Sequence, residues 1–405
     1  MGGLLRKLTP LACALALGAC SSGGEDDRGT AARVRGTTLT VYSSMPRHGV
    51  SAQIARAVAA GQRRALADAG GRLGRYRVRF VELDSTRPGD SIWDPGMVDA
   101  NAKRAREDPT TIAYLGELDY GASAVSLPVT NGAGILQVSP GDGLTSLTRG
   151  VPGDSREGPD RYYPTGMRTF VRLVPSDLLR VERLLAVARA GGGRRLALVS
   201  GEGIYGRELT EQLAALAPRA GLRVVVAEDL ERDPTRFPEL AAELARHRPD
   251  TVVIAAVAGS ATAPLLAELE RQLPGVSFLS ASTLLVSGRA LRSASRLTAL
   301  SAVRPLALYP PSARRLLRGF GGQGGGGSGA SSYALYGYES MRLALDAIQA
   351  GGASRAAVVG AALGSGTRRS TIGTYSVSRT GDVSERRFAV YRLRGGRLVF
   401  ERAVR

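Results

Sequence analysis

Short apolar runs alternate with amphipathic segments along most of the chain, beginning with the β-rich run 39–42. Up to residue 139, runs rich in β-branched residues are separated by segments whose apolar residues recur at helical spacing. The same alternation restarts at residue 169 and continues to residue 279. Strands that alternate with helices form parallel sheets covered by helices on both faces. The pattern therefore predicts an α/β fold with two doubly wound sheets.

Three predicted helices have capping signals at their starts. Ser51 and Ser176 each precede an amphipathic run, and Asp94 is followed by Pro95. Ser and Asp side chains accept hydrogen bonds from the free N–H groups of a first turn, and proline suits the first helical position. We therefore predict capped helices that begin after residues 51, 94 and 176.

The last third of the chain departs from this alternation. The glycine-rich run 319–329 is of low complexity and predicts a solvated loop. Helical spacing follows over residues 333–350 and 353–363, and residues 371–404 alternate as β-strands do. We expect these last strands to return to a lobe that the earlier blocks have built.

The N-terminus has the pattern of an export signal. A short basic region precedes an apolar run over residues 8–17, which is too short for a stable membrane-spanning helix. The sequence LGAC at residues 17–20 resembles the lipobox of bacterial lipoproteins, whose cysteine is acylated. The resemblance predicts a signal peptide over residues 1–19, a lipid anchor at Cys20 and a flexible tether over residues 20–37. The alternative is a plain signal peptide with an unmodified cysteine.

Composition narrows the possible functions. The formal net charge is +18, but Lys7 and Lys103 are the only lysines, and a bias towards GC-rich codons explains the arginines more simply than nucleic-acid binding. With two histidines and two cysteines, zinc sites built from these residues are nearly excluded. Neither lysine follows the glycines of a phosphate-binding loop. We expect no nucleic-acid partner, no cofactor, no metal and no enzymatic activity.

Seven short segments form an ordered set along the predicted body. They are YLGELDYGAS (114–123), AGILQVSP (133–140), LTR (147–149), YYPTG (162–166), RLVPSD (172–177), YGREL (205–209) and YGYESM (336–341). In this order and spacing they resemble the branched-chain amino acid type of solute-binding receptors of ABC importers. The resemblance covers roughly residues 38–400.

The resemblance implies the type I periplasmic-binding fold, with two doubly wound parallel-sheet lobes joined by a three-stranded hinge. It implies lobe I over residues 38–173 and 302–367, and lobe II over residues 174–301 and 368–405. A small solute would bind in the cleft, and a monomer at the extracytoplasmic face would deliver it to a membrane permease. A ligand sensor without transport is the alternative on the same fold.

Candidate ligand-binding residues follow from the same resemblance, because receptors of this type hold their ligand just after the strand ends. They are Arg47, Asp119, Tyr120, Gly121, Gly141, Asp142, Tyr205, Ser280 and Ser282.

The chain departs from the family's pattern at these positions. Tyr120 stands where a small hydroxyl residue is usual, and Gly143 stands where threonine is common. In lobe II, residues 258–260 and 280–283 replace the tyrosine and the acid that hold an ammonium group. Asp119 or Asp142 could replace that acid only from the other lobe. We expect a neutral or amphipathic solute rather than a standard branched-chain amino acid, with loss of binding as the alternative.

One segment also fits a dinucleotide-binding motif. Gly201, Gly203 and Gly206 follow a predicted strand, open a helix and precede the acidic pair 228–229. Against this, Glu202 would place a carboxylate beside a pyrophosphate. The alternative is a tight turn from strand to helix with Tyr205 at the cleft.

Overall fold

The computed structural model describes residues 33–90, 92–153, 158–201, 203–230, 236–255, 262–281, 296–318 and 330–405. Its strands are β1 (Thr38–Met45), β2 (Arg72–Leu73), β3 (Tyr76–Asp84), β4 (Thr111–Leu115), β5 (Leu136–Ser139), β6 (Phe170–Arg172), β7 (Arg195–Ser200), β8 (Arg223–Asp229), β9 (Thr251–Ala255), β10 (Ser277–Ser280), β11 (Leu297–Ser301), β12 (Thr367–Ser370), β13 (Gly373–Ser376), β14 (Phe388–Arg394) and β15 (Arg397–Val404). Its α-helices are α1 (Ala52–Asp68), α2 (Pro95–Glu107), α3 (Ser123–Gly132), α4 (Asp177–Ala190), α5 (Gly203–Leu216), α6 (Phe237–Arg246), α7 (Thr262–Gln272), α8 (Pro311–Arg318), α9 (Ala330–Gly351) and α10 (Arg355–Leu363).

Several predictions fall outside the described residues. They concern the signal peptide, Cys20, the glycine-rich run 319–329, Ser282 and residues 258–260. These stay predictions. Within the described part of the chain, no helix combines the length and apolar character needed to cross a membrane.

The first sheet has the order β2-β3-β1-β4-β5-β6. All its neighbouring strands are parallel except β2, which pairs antiparallel with β3. Every residue of β4 and β5 is buried. Burial on both faces is typical of a parallel sheet between helical layers, and it explains why these strands are continuous apolar runs.

The second sheet has the order β15-β14-β11-β10-β9-β7-β8. Strands β7 to β11 are parallel, whereas β14 pairs antiparallel with β11 and with β15. The chain passes between the sheets three times, from β6 to α4, after β11 and before β14. The predicted two-lobed α/β fold with parallel-dominated sheets is therefore confirmed.

Of the three predicted side-chain caps, one forms as expected. The Asp94 carboxylate accepts a hydrogen bond from the Met97 N–H at 2.8 Å, with Pro95 at the first helical position. The helices after Ser51 and Ser176 begin where predicted, but the predicted side-chain caps are wrong, because neither hydroxyl makes a capping hydrogen bond. The Ser51 hydroxyl instead donates to the Asp119 carboxylate at 2.5 Å, since a charged acceptor forms the stronger hydrogen bond.

Helices α1 and α9 cross in close contact beside the first sheet. A β-carbon on Gly61 would lie 2.0 Å from the Ala334 carbonyl oxygen, and one on Gly337 would lie 2.0 Å from the Val58 carbonyl oxygen. Both positions therefore require glycine so that the two backbones can approach each other.

Candidate functional site

The carboxyl ends of β4 and β5 bring two turns together at one edge of the first sheet. The first turn runs over residues 116–122 and leads into α3, and the second runs over residues 140–144. A β-carbon on Gly141 would lie 2.5 Å from the Leu118 carbonyl oxygen, so the two turns are in contact. Parallel α/β sheets bind ligands at this edge, beyond the carboxyl ends of their strands.

Asp142 occupies the start of α3. Its carboxylate accepts hydrogen bonds from the N–H groups of Gly121 at 3.1 Å, Ser123 at 3.0 Å and Leu144 at 3.1 Å. The start of a helix attracts anions because its N–H groups have no partner within the helix. Here the chain's own carboxylate fills that position.

Asp119 lies beside this carboxylate and is 4% exposed. Its Oδ1 accepts from the Ser51 hydroxyl, while its Oδ2 has no hydrogen-bond partner among the described residues. Burial raises the pKa of Asp119 to about 6, the Ser51 hydrogen bond lowers it, and the Asp142 charge raises it. The Asp119 Oδ2 atom is therefore a buried acceptor without a partner among the described residues.

Tyr120 connects this edge to the second lobe. Its ring stacks on Tyr205 of α5, with ring centroids 4.7 Å apart and planes inclined at 15°. The Arg180 guanidinium of α4 lies over the Tyr120 ring at 5.0 Å and donates to its hydroxyl at 3.2 Å. A β-carbon on Gly121 would lie 2.9 Å from Ile204, so α5 contacts the turn directly.

Arg180 is fully buried at this junction. It donates to Asp177 Oδ1 at 2.6 Å and to the Ala281 carbonyl oxygen at 2.6 Å. Burial would lower the pKa of Arg180, but the nearby Tyr120 and Asp177 outweigh this and raise it, so the side chain stays charged. The hydrogen bond to Ala281 joins the start of α4 to the residue that follows β10.

A second set of hydrogen bonds connects the lobes beside the aromatic stack. Glu208 Oε1 accepts from the Ser146 N–H at 3.1 Å, and Thr145 donates to Gln212 at 3.1 Å. Burial raises the pKa of Glu208 to about 7, although the hydrogen bonds from Ser146 lower it. Its Oε2 has no partner among the residues described.

The candidate ligand residues thus fall into three groups. Tyr120, Gly121 and Tyr205 make contacts between the lobes, and Asp119, Gly141 and Asp142 lie in the two turns beside these contacts. Ser280 is buried at the end of β10, next to the Ala281 carbonyl that Arg180 contacts. Arg47 is exposed, contacts Asp84 and Glu82 at the end of β3, and borders a crevice of about 230 Å³ beside α1. A ligand role for each of them stays a prediction.

The residue pattern did not single out Arg180, Asp177 or Glu208. For Arg180 and Asp177, the position in the sequence could have indicated burial. Both lie on the face of α4 that also carries the buried residues Val181 and Leu184. A charged residue on an apolar helix face indicates a buried ion pair or a site.

The glycine motif at the start of α5 has a local explanation. A β-carbon on Gly206 would lie 2.1 Å from the Gly201 carbonyl oxygen. Gly203 has a positive φ of 89°, which favours glycine. These constraints support the interpretation as a tight turn that presents Tyr205.

Glu117, in the first turn, makes stability depend on pH. Burial raises its pKa to about 8, although Tyr114 and Ser44 donate hydrogen bonds to it. The folded state then binds a proton that the unfolded state releases, so stability falls as pH rises from the usual carboxyl range to about 8. We expect Glu117→Gln to reduce this fall by about 1–2 kcal/mol between roughly pH 5 and pH 8, measured by urea unfolding. Glu107→Gln, 70% exposed, is the control, and an unchanged slope in Glu117→Gln would contradict the assignment.

Comparisons with known proteins identify the family and support the fold. A model of the periplasmic binding protein family matches residues 43–397. A solute-binding protein of an ABC transporter from R. palustris, solved with 4-hydroxybenzoate, is 17% identical with a TM-score of 0.72, covering 91% of this chain and 96% of its own. A leucine-binding protein from Thermotoga maritima is 17% identical with a TM-score of 0.72, covering 90% and 98%. An ABC transporter substrate-binding protein from Desulfitobacterium hafniense in complex with Leu is 17% identical with a TM-score of 0.68, covering 90% and 100%.

No curated protein matches the sequence. The solved structures share the type I two-lobed fold with this chain. The resemblance noted from the seven sequence segments is confirmed, because the family model spans nearly all of the region that carries them. The chain therefore belongs to the periplasmic binding protein family.

Proposed function

We propose that this protein is an extracytoplasmic solute-binding lipoprotein of an ABC importer. It captures a small solute in the cleft between its lobes and delivers it to a membrane permease. Family membership supports solute binding, and the lipobox-like sequence before Cys20 supports export and lipid anchoring. Acyl chains on Cys20 would hold the receptor, as a monomer, close to its permease.

The observation that carries the proposal is the contact between Tyr120 of the first turn and Tyr205 of α5. These rings meet beyond the carboxyl ends of strands in both sheets, where clefts between domains bind small molecules. A solute held there touches both lobes at once. Its binding energy then favours the closed arrangement of the lobes, which a permease can recognise.

A screen for stabilising solutes tests the proposal. The chain without its signal peptide is heated with amino acids, amines, aromatic acids, polyols, short peptides and NAD. A solute at a hundred times its dissociation constant stabilises a protein by about 2.7 kcal/mol, which shifts the melting temperature by several degrees. We expect at least one small solute to give such a shift and Tyr205→Ala to abolish it.

Tyr76→Ala is the matched control. Tyr76 is a largely buried tyrosine at the amino end of β3, away from the edge where the turns meet. It is expected to lower stability without removing the solute-induced shift. No shift with any solute, or a shift with NAD alone, would overturn the proposal.

A further inference from the structure

Resting on the function proposed above, we propose that the cleft takes a cationic organic solute, one that carries an amine or guanidinium group and has no carboxylate. Some hydrogen-bonding groups at the junction of the lobes are already paired within the chain, and others have no partner among the described residues.

The backbone N–H groups and the guanidinium that could bind a carboxylate are already engaged at this junction. The N–H groups of Gly121 and Ser123, at the start of α3, donate to Asp142. The Arg180 guanidinium donates to Asp177, to the Ala281 carbonyl oxygen and to the Tyr120 hydroxyl. A solute carboxylate would have to displace one of these internal partners and would meet the Asp142 charge in the position it needs. Placing two buried anions together is costly.

Several buried hydrogen-bond acceptors, in contrast, have no partner among the described residues. Among the described residues, the acceptor atoms without a hydrogen-bond partner include Asp119 Oδ2, Asp177 Oδ2 and Glu208 Oε2, and the Tyr205 hydroxyl, which can donate or accept, has none either. All four side chains are nearly inaccessible, with exposed fractions of 4%, 1%, 1% and 3% respectively. A buried polar atom without a partner costs free energy, and three of these atoms belong to acids. An ammonium group offers only donors and therefore fits them.

The leftover groups also act on one another electrostatically. After burial, the charge of Asp177 contributes to the raised pKa of both Tyr205 and Glu208. The charge of Asp142 contributes in the same direction at Asp119 and Tyr205. Asp177 Oδ1 would lie 2.6 Å from a β-carbon on Gly143, so this acid of the second lobe contacts the second turn of the first lobe. The acids of the two lobes therefore act on shared neighbours, and the charge of the buried Arg180 guanidinium acts on Tyr205 in the opposite direction.

The aromatic rings at the junction suit a cation as well. Arg180 already lies over the face of Tyr120 at 5.0 Å, and Tyr205 stacks on that ring. The faces of tyrosine rings attract cations by their electron density. A solute with an apolar body and a cationic end could place its body against Tyr205 and its charge against the acids.

Pairs of compounds that differ by the carboxylate test the inference by calorimetric titration of the mature chain. Leucine is compared with 3-methylbutylamine, which lacks its carboxylate, and benzoate is compared with benzylamine, which carries an aminomethyl group in place of the carboxylate. We expect the amines to bind and the acids to bind at least about tenfold more weakly, the effect of one hydrogen bond to a charged group. Because burial raises the pKa of Asp119 to about 6 and that of Glu208 to about 7, amine affinity should fall as the pH drops from 8 to 5.

Asp119→Asn should weaken amine binding by about tenfold or more, while Asp160→Asn, whose side chain is 88% exposed, should leave it unchanged. Glu208→Gln gives a second readout if Asp119→Asn does not fold. Preferred binding of an acid or a neutral solute would overturn the inference and leave the proposed function standing. Amine binding that is unaffected by both variants would also overturn it. No binding by any of the screened classes would overturn both.

Discussion

Gly337→Ala is expected to lower the free energy of unfolding by about 3 kcal/mol or more. A β-carbon at this position would lie 2.0 Å from the Val58 carbonyl oxygen and 2.7 Å from the Val58 carbonyl carbon. The obstacle is helix backbone, which cannot rotate away as a side chain can. Helices α1 and α9 would have to separate, and their buried contacts would loosen along the whole crossing.

Urea unfolding of the purified chain measures this effect. Gly360→Ala in α10 is the matched control, because a β-carbon there meets nothing within 4 Å. Since alanine is the better helix former, the control is expected to gain about 0.5–1 kcal/mol. A Gly337→Ala protein as stable as the parent would show that α1 and α9 do not pack as described.

Asp382→Ala is expected to cost about 3–5 kcal/mol, the effect of leaving a buried charge without its partner. Arg172 of β6 is fully buried, and its Nε lies 3.0 Å from Asp382 Oδ1. The same carboxylate accepts from the Thr148 hydroxyl at 2.9 Å and pairs with Arg149. The tail that precedes β14 is thereby connected to the first sheet, so the mutation also weakens one passage between the lobes.

Glu401→Ala is the control for this ion pair. Glu401 pairs with Arg392 and Arg402, whose side chains are 53% and 45% exposed, so its loss should cost less than about 1 kcal/mol.

Burial would raise the pKa of Asp382, but Arg172 and Arg149 outweigh it and hold the pKa below the usual range. The stabilisation from Asp382 is therefore present above the usual carboxyl pKa and is lost as the pH falls through the lowered value. An Asp382→Ala protein that unfolds like the parent at neutral pH would contradict the buried pair of Asp382 with Arg172.

Much of the fold was predictable because it depends on local patterns. Continuous apolar runs predicted strands such as β4 and β9, and helical spacing predicted α9 to within a few residues at each end. Strand β11 was not predicted. It has only five residues, a length at which apolar runs are ambiguous, and it was not distinguishable from its surroundings by periodicity.

The candidate site was predictable only in outline. Family resemblance and strand ends predicted that Asp119, Tyr120, Asp142 and Tyr205 lie where the lobes meet, and the structure brings them together. The sequence did not predict that Asp142 occupies the start of α3. Nor did it predict that Ser51 donates to Asp119 instead of capping its own helix. These outcomes depend on which acceptor the folded chain places nearest to each donor.

The amino-acid sequence by itself determined the alternation of strands and helices, the family and the positions of the turns at the strand ends. These follow from periodicity and from residue preferences that act over a few neighbouring residues. Only the tertiary structure decided the pairing of Arg180 with Asp177 and Tyr120, and the closeness of Gly337 to Val58. Buried polar groups and backbone contacts are set by segments far apart in the chain, because burial makes each group take whichever partner the packing of those segments supplies.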